Sequence, residues 1–124
     1  MFNGIARRYD LLNHLLSGGI DSCIVTALIC REWTGAAPLK TFTVGMEGSP
    51  DILAARAIAA HLGTDHHERL FTAEEAFGIL ELVVQHVETY EPELIRSCIP
   101  NFFLAEIAAS KVKVVITGEG ADET

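Results

Sequence analysis

Six consecutive residues, Ser17-Gly18-Gly19-Ile20-Asp21-Ser22, combine flexible and hydroxyl-bearing positions with one carboxylate. Glycine lets backbone N–H groups approach an anion, serine hydroxyls donate to it, and a helix starting here adds the positive end of its dipole. The pattern is that of a phosphate cradle after a short strand, in which Asp21 can reach a magnesium ion. It is not the lysine-bearing phosphate loop, because the chain has no G-x-x-x-x-G-K-[ST] run. Taken alone, such a Gly/Ser turn is more often structural than catalytic. A second segment, Thr117-Gly118-Glu119-Gly120-Ala121-Asp122-Glu123, sets two glycines beside three carboxylates. By itself it reads equally well as a solvated acidic turn. Paired with the first loop, it reads as the other half of a magnesium–ATP site.

Both loops need elements that present them. Ile20, Ile24, Ala27, Leu28 and Arg31 recur at helical spacing over residues 20–32, and residues 39–44 alternate as a strand does. Ser49-Pro50 is a cap followed by proline at a first helical position, and the apolar run of residues 52–62 stops at Gly63, which predicts a second helix. Residues 65–71 form a short candidate strand, and Thr72-Ala73-Glu74-Glu75 is a capping box opening a helix that runs to about Val87. Residues 88–99 read as irregular, Pro100 as the start of a helix ending near Ser110, and residues 112–116 as a buried parallel strand. The alternation predicts an α/β fold, a parallel sheet with flanking helices, with ligands at the carboxyl ends of the strands where both Gly-rich loops fall. No internal repeat, low-complexity tract or linker divides it.

The 124 residues, 49% hydrophobic, suffice for one small domain with a core. A net charge of −8 argues against a nucleic-acid surface, which needs Lys and Arg, but leaves room for magnesium-bound polyanions. Cys23, Cys30 and Cys98 form neither an even disulfide set nor a C-x-x-C clip. Cys23, Cys98 and Trp33 read as packing residues, and His61, His66 and His67 lack the spacing of a zinc site. Residues 1–16 carry Arg7, Arg8, Asp10, Asn13 and His14, which is wrong for a signal peptide and too short for a membrane span. A soluble protein of a reducing, cytoplasmic compartment is expected, without membrane or nucleic-acid partners.

A family resemblance runs in order from Leu15 to Glu123. Leu15-Leu16-Ser17-Gly18-Gly19-Ile20-Asp21-Ser22, Thr41-Phe42-Thr43-Val44-Gly45-Met46-Glu47-Gly48-Ser49-Pro50-Asp51, His66-His67-Glu68, Glu88-Thr89-Tyr90 and Thr117-Gly118-Glu119-Gly120-Ala121-Asp122-Glu123 resemble the synthetase domain of glutamine-dependent asparagine synthetases. The resemblance implies an adenine-nucleotide α-hydrolase-like fold, the PP-loop ATP pyrophosphatase type. It also implies amide formation in two steps, in which the aspartate side-chain carboxylate attacks the α-phosphorus of ATP, releasing pyrophosphate, and ammonia then displaces AMP from the β-aspartyl-adenylate. By resemblance, Ser17, Gly18, Gly19 and Ser22 hold pyrophosphate, Leu15, Leu16 and Val44 flank adenosine, and Thr117 and Gly118 approach the nucleotide. Asp21 and Asp122 match magnesium-binding carboxylates, Glu119 a glutamate beside the reacting centre, and Arg96 an arginine near the aspartate and phosphate groups. For Arg96, a plain surface arginine is an equal reading. The implied partners are ATP, aspartate, ammonia and a glutaminase domain or subunit; a homodimer stays open.

The sequence departs from that family in three places. Within these 124 residues neither the family's glutaminase half nor its further helices past Asp122-Glu123, with a lysine and acidic residues, is found. The chain is therefore expected to be a partial domain over residues 15–124, weakly stable and with little turnover alone. Residues 1–14 form an atypical segment, and residues 2–17 resemble instead the opening of menaquinone and ubiquinone methyltransferases, which share Leu-Leu-Ser-x-Gly-Ile-Asp. Against a methyltransferase, no Gly-rich S-adenosylmethionine loop follows. Asn13 and His14 fall where the synthetases have buried apolar residues, which would weaken the first strand. A non-catalytic nucleotide-binding fragment is the rival from another class. GMP, NAD and β-lactam synthetases share the first loop but fit the Glu47-Gly48-Ser49-Pro50-Asp51 and His66-His67-Glu68 stretches less well.

Overall fold

The computed structural model describes residues 20–118. Its elements are α1 (Ile20–Glu32), β1 (Lys40–Gly45), α2 (Pro50–Leu62), β2 (Asp65–Leu70), α3 (Ala73–Gly78), α4 (Leu80–Val87) and α5 (Pro92–Ala109). β1 and β2 pair in parallel, Lys40 opposite Asp65 through Gly45 opposite Leu70, with α2 as the crossover between them. The architecture is α/β, a parallel sheet with flanking helices, as the alternation predicts.

Local chemistry sets the ends of the crossover helix. Ser49 is extended and its hydroxyl accepts from the Asp51 N–H, Pro50 supplies the preset φ of a first helical turn, and Gly63 adopts φ 67°. The capping box is present too: the Glu75 N–H donates to Thr72 Oγ1 at 3.2 Å, and the Glu75 carboxylate accepts from the Thr72 N–H at 2.8 Å.

Three expectations need correction. The helix opened by Thr72 does not run unbroken to Val87; it is interrupted at Ile79, just after Gly78, with φ −97° and ψ 0°. Glycine weakens a helix interior by about 1 kcal/mol. The stretch expected to be irregular is mostly helical, because Pro92 rather than Pro100 occupies the first-turn position of α5, after an extended Glu91. Pro100 lies inside the helix. It leaves the Arg96 carbonyl without its ladder donor, while its ring is buried on the same face as Phe103, Leu104 and Ala108. Finally, residues 112–116 are not a strand: Val114, Val115 and Ile116 are each more than a third exposed. A strand exists by its ladder, and among the described residues only β1 and β2 pair.

The core sits between β1 and α5. Phe42, Val44, Phe103, Leu104 and Ala108 form its centre, with Phe71, Ile79, Ile99, Ile107 and Val112 packed around it. Full burial of a side chain such as Phe42 or Leu104 contributes about 1.5–3 kcal/mol. Phe42 and Val44 face this core, so the pleat turns Thr41 and Thr43 to the opposite face of β1, toward α1 and α2. No described helix is long and apolar enough to cross a membrane.

Candidate active site at the first turn of α1

Asp21 and Ser22 occupy the first turn of α1, whose N–H groups have no partners within the helix. Asp21 is exposed, and Ser22 is buried. The Thr26 hydroxyl donates to the Ser22 carbonyl at 2.7 Å, a bond wholly inside the protein. Gly118 closes on this turn from the other end of the chain. A Cβ added to Gly118 would stand 2.8 Å from Ser22 N and 3.0 Å from the Asp21 carbonyl carbon, so no other residue fits without displacing backbone. The loop after residue 112 is thereby laid against the helix start, and Thr117 stands exposed beside it. Two backbones in contact at a helix N-terminus, with a carboxylate at the rim, form the kind of surface that accepts a phosphate chain and its counter-cation.

The other expected residues divide. Val44, near the carboxyl end of β1, is buried with its side chain in the core. Arg96 lies on the exposed side of α5, 3.7 Å from the Glu93 carboxylate, and no contact brings it to Asp21, Ser22 or Gly118. Leu15, Leu16, Ser17, Gly18, Gly19, Glu119 and Asp122 lie outside the described residues, as does the methyltransferase-like segment of residues 2–17. Among the described residues no three His, Cys, Asp or Glu side chains gather as a metal site. Of the expected magnesium pair, Asp21 lies among the described residues, and its exposed carboxylate has the chemistry of a ligand for a hard cation.

Sequence reasoning missed a polar cluster one layer below. His66 Nδ1 and Thr64 Oγ1 each lie 2.9 Å from Thr41 Oγ1, and the Arg56 guanidinium donates twice to the Glu68 carboxylate, at 2.8 Å each. Glu68 Oε1 is also 3.4 Å from His66 Nε2. Burial pushes the His66 imidazole below its ordinary pKa, against the pull of Glu68, while the hydrogen bond from Arg56 holds the Glu68 carboxyl below its own. The register that sets Thr41 opposite His66 was the missing signal, and only strand pairing supplies it. His67 faces the other way and stacks on Phe42, with ring centroids 5.3 Å apart. Cys23, partly buried on α1, has its thiol pKa raised by burial. The Trp33 indole donates to the Ala37 carbonyl at 2.8 Å, as expected of a packing residue past a helix end.

The asparagine synthase family profile matches residues 12–124. This chain belongs to the asparagine synthase family. It is 44% identical over 117 residues to an asparagine synthetase (glutamine-hydrolysing) of Triphysaria versicolor, an alignment covering 88% of this chain and 20% of that protein. The protein of the same name from Gallus gallus is 42% identical over 114 residues, with the same coverage. The chain spans about a fifth of the length of these asparagine synthetases. A solved structure, described as a predicted subunit of tRNA methyltransferase from Methanocaldococcus jannaschii, superposes with a TM-score of 0.50 at 18% identity, over 89% of this chain and 53% of that one. At that identity the likeness speaks for the fold alone. The asparagine synthase match carries the family assignment, and it spans both Gly-rich loops.

Proposed function

We propose that residues 15–124 form the ATP-pyrophosphate part of an asparagine synthetase site. The whole reaction converts aspartate, ATP and ammonia to asparagine, AMP and pyrophosphate through a β-aspartyl-adenylate. The observation that supports this most is the contact of Gly118 on the backbone of Asp21 and Ser22, which joins two motifs nearly a chain length apart. In this reading the first turn of α1, with Ser17, Gly18, Gly19 and Ser22, binds pyrophosphate. Leu15, Leu16 and the Val44 backbone flank adenosine, while Thr117 and Gly118 approach the nucleotide. Asp21 and Asp122 would hold magnesium, which supplies positive charge against the leaving pyrophosphate. Fixed N–H dipoles at the helix start do the same work from the protein side. Glu119 and Arg96 are assigned to the aspartate end, and Arg96 would have to leave Glu93 to serve there.

Ammonia comes, by this proposal, from a glutaminase domain or subunit, in keeping with the glutamine-hydrolysing relatives. A cytoplasmic setting and a homodimer belong to the same proposal, as does the division of the chain into residues 1–14 and 15–124. The test is a chimera: residues 15–124 replace the matching stretch of a full-length asparagine synthetase, and aspartate-dependent pyrophosphate release is followed with asparagine formation. Both are expected. A folded chimera that binds ATP yet forms no asparagine would contradict the assignment and favour a nucleotide-binding module.

A further inference from the structure

The face of β1 turned away from the apolar core borders a small cavity between α1, α2 and β2. Its polar lining is Cys23, Thr26, Thr41, Thr43, Thr64 and His66. Thr41 bonds to Thr64 and His66, and the Thr26 hydroxyl donates to Ser22. Thr43 differs. It is fully buried, at 0% exposure, and its hydroxyl oxygen has no hydrogen-bond partner. A buried hydroxyl without a partner is penalised, and valine would fill the same shape without one, so the hydroxyl calls for a partner inside the cavity.

We infer that this cavity binds one structural water, held by Thr43 Oγ1 and shared with the polar groups around His66. The space is water-sized, and beside the apolar Ala55, Ile58 and Ala59 it presents the hydroxyls of Thr41, Thr43 and Thr64 and the His66 ring, so a water there has polar partners; cavities that stay dry are lined by apolar groups alone. Cys23 and Thr26 of α1 form the wall facing the strand. The water therefore ties β1 to the helix whose first turn carries Asp21 and Ser22, and makes the Thr41, Thr64, His66 and Glu68 cluster continuous with that helix.

Water-to-protein cross-peaks in NMR spectra of the intact chain test the inference, together with denaturant unfolding of Thr43→Val. Cross-peaks of long-lived-water sign are expected at the Thr43 methyl and the His66 ring. The substitution, which leaves the water short of one partner, is expected to shift the unfolding equilibrium toward the unfolded state by about tenfold. Absence of those cross-peaks in the unsubstituted protein overturns the inference. So does a Thr43→Val protein as stable as the parent or more so, the result for a hydroxyl that had no partner to lose. Should Thr43→Val fail to fold, the cross-peaks of the unsubstituted protein decide.

Discussion

Gly118 meets Ser22 so closely that a single methyl group on Gly118 would lie 2.8 Å from the Ser22 backbone nitrogen. Backbone cannot yield as a flexible side-chain tip can. Gly118→Ala is therefore expected to push the 117–118 segment off the first turn of α1, at a cost of about 1–3 kcal/mol from overpacking. Because the contact joins both halves of the proposed nucleotide site, magnesium–ATP affinity should fall along with stability. Chemical denaturation and titration calorimetry on the same sample check the two effects.

The His66 imidazole gives the fold a dependence on acid. Burial lowers its pKa in the folded protein from the ordinary value near 6.5, so as pH falls below that value the unfolded chain takes up the proton first. Its contribution is present above about pH 6.5 and is lost as pH falls through the folded-state value. Glu68, held down by Arg56, adds a second loss of the same sign lower down, in the carboxylate range. His66→Gln should flatten the upper limb of the stability–pH curve and leave the lower one. An unchanged upper limb in that variant would locate the effect elsewhere.

At the entry to α3, Thr72 both accepts from the Glu75 N–H and, through its own N–H, donates to the Glu75 carboxylate, to which Arg69 also donates at 2.8 Å. Thr72→Ala removes the hydroxyl half of this box and is expected to cost about 1 kcal/mol. Thermal unfolding should show a lower midpoint, and the Glu75 amide should lose more protection from hydrogen exchange than the amides of α5.

Much of this architecture could be read from single positions whose chemistry is local. Ser49, Pro50 and Gly63 bound α2 by their own conformational preferences, and Thr72 and Glu75 announce their cap by type and spacing. Pro100 misled because proline has one local meaning at a helix start and another inside a helix, and the packing of its ring against the core decides between them. Residues 112–116 have the composition of a buried strand, but a strand needs a neighbour that composition does not name. In α1 the regular apolar spacing announced a helix, yet Ile24 and Leu28 are about half exposed while Ser22 and Thr26 turn inward. The two Gly-rich loops could be paired from their residue types and from the resemblance, but the close approach of Gly118 to Ser22 could not, and neither could the polar layer of Thr41, Thr43 and His66, which arises from strand register.

Whether the first turn of α1 forms part of a magnesium–ATP site is tested by titration calorimetry of the chain and its Asp21→Asn variant with ATP. Binding that requires magnesium is expected, weakened on the order of tenfold in the variant, whose amide cannot supply the negative charge a hard cation prefers. A folded chain that gives no heat with magnesium–ATP, or that binds equally well in the variant and with magnesium chelated, would contradict such a site.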